Sequence, residues 1–415
     1  MKRVVLIGSL LASGMAAAAA PYPSLLPPDA VVRTALAEAP MITAAHEQVN
    51  QGVARQRKLR AGTYEWEVAA TTQERKDQSG ARFSEQQYEL TRRWRLPGKG
   101  ALDRRIGALA ASVGEFAYAD AWHEAGRSLL AGWFDWLREE RSTTVLQEQA
   151  ELAGKQLQAI TRRVEAGDAP RLDQQLAEAE LGRVVALQLE AARRAQSARI
   201  ALLQDFPLLV MQTPARMDEP AAVVGSDEQW IRLVIDENHE IELAQGRAEE
   251  AQLAAVRAGR DRIADPTVGL HFSNNIDQNR NVIGVRIAIP IGFAARGAEA
   301  AMARSVAAGA AAEALQARHS VEGAARRDVL NARSSYRQWE RLAAVAGQSS
   351  AAAESVTRAY AAGELGVAEL LAARRQSLDA QLLATVSLLT AHESQARLQL
   401  DAHQLWALEE HDAHH

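Results

Sequence analysis

Residues 161–173 read TRRVEAGDAPRLD, and residues 357–369 read TRAYAAGELGVAE. The two stretches align without gaps. Thr161 meets Thr357, Arg162 meets Arg358, Ala166 meets Ala362, and Gly167 meets Gly363. Acids coincide at Asp168/Glu364 and again at Asp173/Glu369. Glycine admits the left-handed backbone that commonly ends a helix, so each stretch reads as a reversal of the chain. Two matched reversals point to an internal duplication.

Working outward, the sequence predicts a long helix on either side of each turn. The first helix runs from about residue 101 to 163 and returns to about 204; the second runs from about 298 to 361 and returns to about 409. Sixty residues of helix span roughly 90 Å at 1.5 Å per residue, longer than a compact domain requires. Ala325, Val329, Ala332, Tyr336, Trp339, Ala343 and Ala346 recur at spacings of four and three, a coiled-coil seam of small residues. Asp173 and Glu369 are expected two turns inside the return helices.

Each half opens with a short predicted helix, at 31–42 and 230–241. Arg33 matches Arg232, Leu36 matches Ile235, Glu38 matches Glu237, and Ile42 matches Ile241. Two alternating segments then follow in each half. In the first, Tyr64, Trp66 and Val68 alternate with Glu65 and Glu67. After a polar stretch, 73–84, alternation resumes through Tyr88, Leu90, Trp94 and Leu96. In the second, Val268, Leu270 and Phe272 lead into a polar turn, 273–281. Ile283, Val285, Ile287, Ile289 and Ile291 come after it. Period-two alternation predicts strands with one apolar and one polar face. Charges such as Glu65, Glu67, Arg93 and Arg95 suit either a half-buried soluble hairpin or a wet lumen. Arg92 interrupts the apolar face. Pro97-Gly98-Lys99-Gly100 lacks the spacing and hydroxyl residue of a phosphate loop and reads as a strand-to-helix junction, with Pro290 its counterpart.

Composition narrows the options. The 415 residues are 47% hydrophobic but only 5% aromatic, with a formal net charge of -5. The low aromatic content is offset by alanine, which favours closely packed helices. With no cysteine, disulfides, thiolate metal sites and a lipid-anchored N-terminal cysteine are all excluded. Lys2 and Arg3, the apolar stretch 4–15 and the alanine run 16–20 form a secretory signal peptide; the stretch is short for a membrane anchor. No later apolar run is long enough to span a membrane as a helix, so any membrane entry would be by strands. The reading divides the chain into a leader (1–20), a first repeat (21–205), a linker (206–226), a second repeat (227–410) and a tail (411–415).

Helix, strand pair, long helical hairpin, all doubled behind a leader, resembles the TolC family of outer-membrane factors across nearly the whole mature chain. The sharpest local elements are WRLPGKG (94–100), VRIAIPI (285–291) and the two AG[DE] turns. WRLPGKG is similar to the heavy-metal efflux (CzcC-like) branch in particular. The resemblance implies a mainly α fold with a membrane β-barrel. Three protomers would each give four strands to one twelve-stranded barrel, continued by an α-helical barrel through the periplasm. It implies a homotrimer in outer-membrane lipid, a periplasmic adaptor (membrane fusion) protein, and an inner-membrane transporter of the RND type. Substrate, metal ions on the branch resemblance, would pass without chemistry.

On the same resemblance, Arg162, Gly167, Asp168, Arg358, Gly363 and Glu364 form adaptor-docking tips. Position 369 corresponds to an acidic ring at the periplasmic aperture, with Asp173 its partner. Ala372 replaces a second acid found in the family, so the ring is thinner. Read from the residues alone, Asp168 and Glu364 could simply cap helices, and Asp173 and Glu369 could lie on a solvated helix face. His403, His411, His414 and His415 lie near the C-terminus; the last three are candidate metal ligands, with a plain polar tail the alternative. No nucleophile, base and orienting acid can be assembled, and no cofactor loop is present, so neither enzyme activity nor a cofactor is expected. The charge balance gives no reason to expect nucleic acid. Two other readings remain: the outer component of type I protein secretion, and a periplasmic coiled-coil scaffold without a channel.

Overall fold

The computed structural model describes residues 23–408, apart from positions 63, 77, 215, 237 and 276–279. The leader, the tail histidines His411, His414 and His415, Glu237 and part of the second hairpin turn lie outside the described residues. Helices dominate. The order is α1 (Asp29–Ala37), α2 (Pro40–Ala61), β1 (Trp66–Lys76), β2 (Arg82–Arg93), α3 (Lys99–Glu165) and α4 (Arg171–Asp205). There follow α5 (Asp227–Ile235), α6 (His239–Asp261), β3 (Thr267–Asn275), β4 (Arg280–Ala288), α7 (Ala294–Ala361) and α8 (Val367–Asp401).

The expected short helices 31–42 and 230–241 are each two helices. Pro40 sits in the first turn of α2, and Ala39 before it takes an extended backbone (ψ 135°) because proline disfavours a helical predecessor. In the second half, Asn238 breaks the run and caps α6, its Oδ1 accepting from the Ile241 amide at 3.1 Å. The 22-residue α2 and 23-residue α6 that follow these breaks were absent from the expectation. Glycines let α2 lie close on α3: a Cβ at Gly52 would stand 2.6 Å from the Ala110 carbonyl oxygen.

The strands form one antiparallel sheet in the order β1-β2-β3-β4. The polar stretch 73–84 is mostly strand rather than turn. Its polar side chains satisfy one another across the ladder: Gln73 donates to Glu85 at 2.9 Å, and Arg82 pairs with Glu74 at 3.5 Å. Polar ends likewise extend β3 and β4 into the predicted second turn. At the other end the strands stop early. Trp94, Leu96, Ile289 and Ile291 lie beyond β2 and β4, next to Pro97 and Pro290, which cannot donate to a ladder. Gly98 then takes a left-handed backbone (φ 87°) and α3 begins. Lys99, only 2% exposed, donates to the Ile263 carbonyl at 2.7 Å and to Asp265 at 2.9 Å, tying the junction of the first half to the second.

The main core sits at the waist. Trp122, Trp133, Phe134 and Leu137 of α3 meet Leu36 of α1, Phe206 after α4, and Leu400 and Trp406 around the end of α8. The indole of Trp122 donates to the Trp406 carbonyl at 2.9 Å and that of Trp133 to Leu25 at 2.8 Å, so these large rings are buried without an orphaned donor. Of the predicted seam, Ala325, Val329, Ala332 and Trp339 are buried. Helix α8 ends at Asp401 rather than near 409. The amides of His403 and Gln404 bond back to the carbonyls of Leu400 and Gln399 at 3.0 and 2.8 Å, which closes the helix.

Candidate functional site

Two surfaces gather the chemistry: the sheet and the tips of the helical hairpins. Register fixes the sheet's faces. One row runs Trp66, Arg92, Val268, Ile287; the next Val68, Leu90, Leu270, Val285; the next Ala70, Tyr88, Phe272, Ile283. Residues paired across strands share a face, so apolar side chains from four strands form one continuous patch. Among the described residues nothing covers it: Val68 is 75% exposed, Val285 71% and Ile283 79%. Arg92 is accommodated by the Trp66 ring, 5.2 Å from its guanidinium carbon. On the opposite face, Glu89 binds Arg286 at 2.9 Å and faces His271 at 3.4 Å. The outer edges of β1 and β4 have no partner strand among the described residues.

At the tips, the two reversals have the same backbone. The amides of Gly167 and Asp168 bond to the carbonyls of Val164 and Arg163 at 3.1 and 2.8 Å. Those of Gly363 and Glu364 bond to Tyr360 and Ala359 at 3.0 and 2.9 Å. Gly167 and Gly363 have φ of 81° and 78°, the left-handed conformation this closure needs. The side chains of Asp168 and Glu364 do not cap the return helices. Pro170 and Gly366 hold the cap positions, without a side-chain bond. Arg162, Asp168, Arg358 and Glu364 are exposed.

Asp173 and Glu369 lie in the first turns of α4 and α8, not two turns inside. The return helices start later than expected because residues 166–170 and 362–366 are taken up by the reversals. Asp173 is half-buried and Glu369 exposed. Ile160 and Ala177 of the first hairpin pack with Val367 and Leu371 of the second, and the Arg163 guanidinium lies 5.2 Å from the Tyr360 ring centre. Deeper in, Glu180 binds Arg183 at 2.7 Å and Arg375 at 2.5 Å, linking α4 to α8.

A third group escapes the sequence reading. His123, His239 and His403 come together at the waist from α3, α6 and the end of α8. No spacing signals it, because each residue comes from a different part of the chain. Asp401, fully buried, binds His123 at 3.1 Å and Arg127 and Arg397 at 2.8 Å each. Burial pushes its carboxyl up, but hydrogen bonds from His123 and the two guanidiniums outweigh this and hold it well below the ordinary carboxylate range. No helix among the described residues is long and apolar enough to cross a membrane.

No protein-family model matches the chain, and no curated protein matches it. Solved structures do. The outer membrane channel CmeC of Campylobacter jejuni superposes with a TM-score of 0.76 at 14% identity, over 93% of this chain and 89% of that one. The open state of the MtrE outer membrane channel of Neisseria gonorrhoeae gives 0.71 at 17% identity, over 90% and 88%. CusC, described in terms of folding and transmembrane channel formation, gives 0.73 at 13% identity, over 90% and 91%. The chain therefore shares the fold of these channels: long helices carrying a small antiparallel sheet.

Proposed function

We propose that this chain is one protomer of an outer-membrane efflux channel of the TolC family. The observation that carries the reading is the sheet: three rungs of largely apolar, solvent-facing side chains on one face, with both edges unpaired among the described residues. An open four-stranded sheet cannot close on itself, and bare edges invite association. Three copies around an axis would pair each β4 with a neighbouring β1 and make a twelve-stranded barrel whose apolar face meets lipid. The likeness in fold to CmeC, MtrE and CusC supports this. We read 21–205 and 227–410 as repeats joined by the linker 206–226. Their long helices have 67 and 68 residues and their return helices 35 each.

The long helices then cross the periplasm, and the tips around Gly167 and Gly363 meet an adaptor protein that links the channel to an RND-type inner-membrane transporter. Asp173 and Glu369 face the aperture. Substrate passes without chemistry, and metal ions are the substrate class suggested by the WRLPGKG segment. A scaffold without a channel would leave the apolar sheet face unexplained. The test is fractionation with cross-linking in intact cells. Because the chain has no cysteine, single cysteines placed along β1 and β4 report only on those edges. The protein should stay with outer membranes after carbonate extraction and yield trimers cross-linked from β4 to β1. Release by carbonate, or monomers alone, would overturn the reading.

A further inference from the structure

Two carboxyl groups meet at the waist, in a contact that the channel reading does not use. Asp401, at the end of α8, is fully buried with both oxygens engaged. Its Oδ1 meets His123 Nε2 at 3.1 Å and accepts from Arg127 at 2.8 Å; its Oδ2 accepts from Arg397 at 2.8 Å. Asp328 of α7, half-buried, is hydrogen-bonded to the same carboxyl. An ionised carboxylate only accepts, so a hydrogen bond between two carboxyls requires that one of them keep a proton. Two guanidiniums and His123 keep the charge on Asp401. The proton therefore belongs to Asp328.

The surrounding charges agree with this division. On α7 itself the positions one turn from Asp328, which are 324, 325, 331 and 332, hold Ala, Ala, Asn and Ala, so its own helix supplies no cation. From α8 it faces Asp401 and Arg397, and from α3 Arg127. Asp120, His123 and Glu124 of α3, His239, Glu240 and Glu242 of α6, and His403 complete the charged and titratable surroundings. Both guanidiniums are already bound to Asp401, and Arg127 to Glu124 as well. Burial and the charge of Asp401 push the Asp328 carboxyl up to about 6, while burial pushes His403 down to about 4, so that ring is neutral where Asp328 titrates.

From this contact we propose that Asp328 and Asp401 form a proton-operated fastening of α7 onto the joint of α3 and α8. With the proton in place, one carboxyl donates to the other and the fastening is closed. Without it, two negative charges stand side by side and the packing of α7 at the waist loosens. Asp401 already joins α3 of the first half to α8 of the second, so the fastening acts where the halves meet. The sign follows from linkage. A carboxyl raised in the folded state holds its proton more tightly there than in the unfolded chain, so stability rises as pH falls through about 6 and is lost as pH climbs back. The fastening does not depend on the channel reading; it would work in a scaffold equally well.

The test uses the full chain in detergent and the variant Asp328→Asn. Asparagine keeps the shape and a donor but cannot ionise. The variant should match wild type in unfolding at about pH 5 and exceed it at about pH 7.5, with a folded-to-unfolded ratio at least about tenfold higher, the factor that one pKa unit represents. Infrared difference spectra should show a protonated carboxyl in wild type that titrates near pH 6 and is missing from the variant. Amide exchange in α7 and at the end of α8, corrected for intrinsic rates, should slow towards acid in wild type alone. A stability gap that stays constant with pH or opens towards acid, or a carboxyl band unchanged by Asp328→Asn, would overturn the proposal and leave Asp328 an ionised neighbour of Asp401.

Discussion

Glu180 of α4 accepts a hydrogen bond from Arg375 of α8 at 2.5 Å, an ion pair between the two return helices just above the tips. Burial alone pushes the Glu180 carboxyl up. Hydrogen bonds from Arg183 and Arg375 outweigh it and hold the carboxyl below its ordinary value of 4.5. A carboxyl depressed in the folded state contributes stability above its unfolded pKa and loses it as pH falls through the folded one. Glu180→Gln should therefore cost about 1.5–3 kcal/mol at pH 7, the range for hydrogen bonds to a charged group. The gap from wild type should narrow once pH drops below 4.5. Thermal unfolding in detergent at several pH values measures both, and a pH-independent gap would mean the carboxylate charge is not involved.

The sheet faces should respond differently to charge. Ile287 is 66% exposed and shares its face with Val268 and Trp66, whereas Ala288 pairs with Thr267 on the other face. Ile287→Arg should hinder membrane assembly, costing about 2–4 kcal/mol if the residue lies near the bilayer midplane. Ala288→Ser should change little. Equal amounts of membrane-embedded trimer from both variants would show that the apolar face does not meet lipid.

Gly363 tests the tip. Its φ of 78° is unfavourable for a β-branched residue, while a Cβ there would meet nothing within 4 Å. Strain, at about 1–2 kcal/mol, is then the whole effect and should stay local. Gly363→Val should reach the membrane as a trimer yet fail to support efflux, and Gly363→Asn, which tolerates the conformation, should retain it. Resistance assays with both variants, beside native gels, check this; full activity of the valine variant would remove the tip from the docking surface.

The acids in the first turns of α4 and α8 carry a prediction about conduction. Threefold assembly would bring copies of Asp173 and Glu369 around one axis, where carboxylates attract cations. Glu369→Gln keeps the shape and removes the charge. In planar bilayers it should lower cation preference and weaken block by multivalent cations, most clearly at low salt. The double change with Asp173→Asn should go further. Unchanged selectivity and block in the double variant would return both acids to the ordinary helix surface.

What the sequence discloses here follows from the range of the interactions involved. The reversals at Gly167 and Gly363 are local, set by one left-handed residue and two backbone bonds, and they were readable as a pair. The strands were readable where they alternate, at Val68, Leu90 or Val285, but not at their polar ends. There Gln73 and Arg82 are in strand only because Glu85 and Glu74 face them. Helices α2 and α6 were hidden behind Pro40 and Asn238, punctuation that ends one helix and starts another. Asp173 and Glu369 lie nearer the helix starts than the spacing predicts, because the reversal absorbs several residues before the next helix begins. The pairing of Glu180 with Arg375, and the meeting of His123, His239 and His403, depend on packing between distant segments, and no spacing encodes them.

The pairing of β2 with β3 sets the order in which this molecule can be made. Glu89 and Arg286, joined across the sheet, are 197 residues apart in the chain. The hairpin of β1 and β2 can close by itself, yet half of its hydrogen-bonding edge waits for strands that leave the ribosome, and any translocation pore, much later. Closing so long a loop is slow, and the waiting edge is exposed to aggregation meanwhile. The polar ends of these strands carry exposed charged pairs such as Arg82 and Glu74, and charges on an edge oppose edge-to-edge association. Such a chain needs protection until its second half arrives, and a substitution that makes those ends apolar would show first as lost yield rather than as a defect in the finished protein.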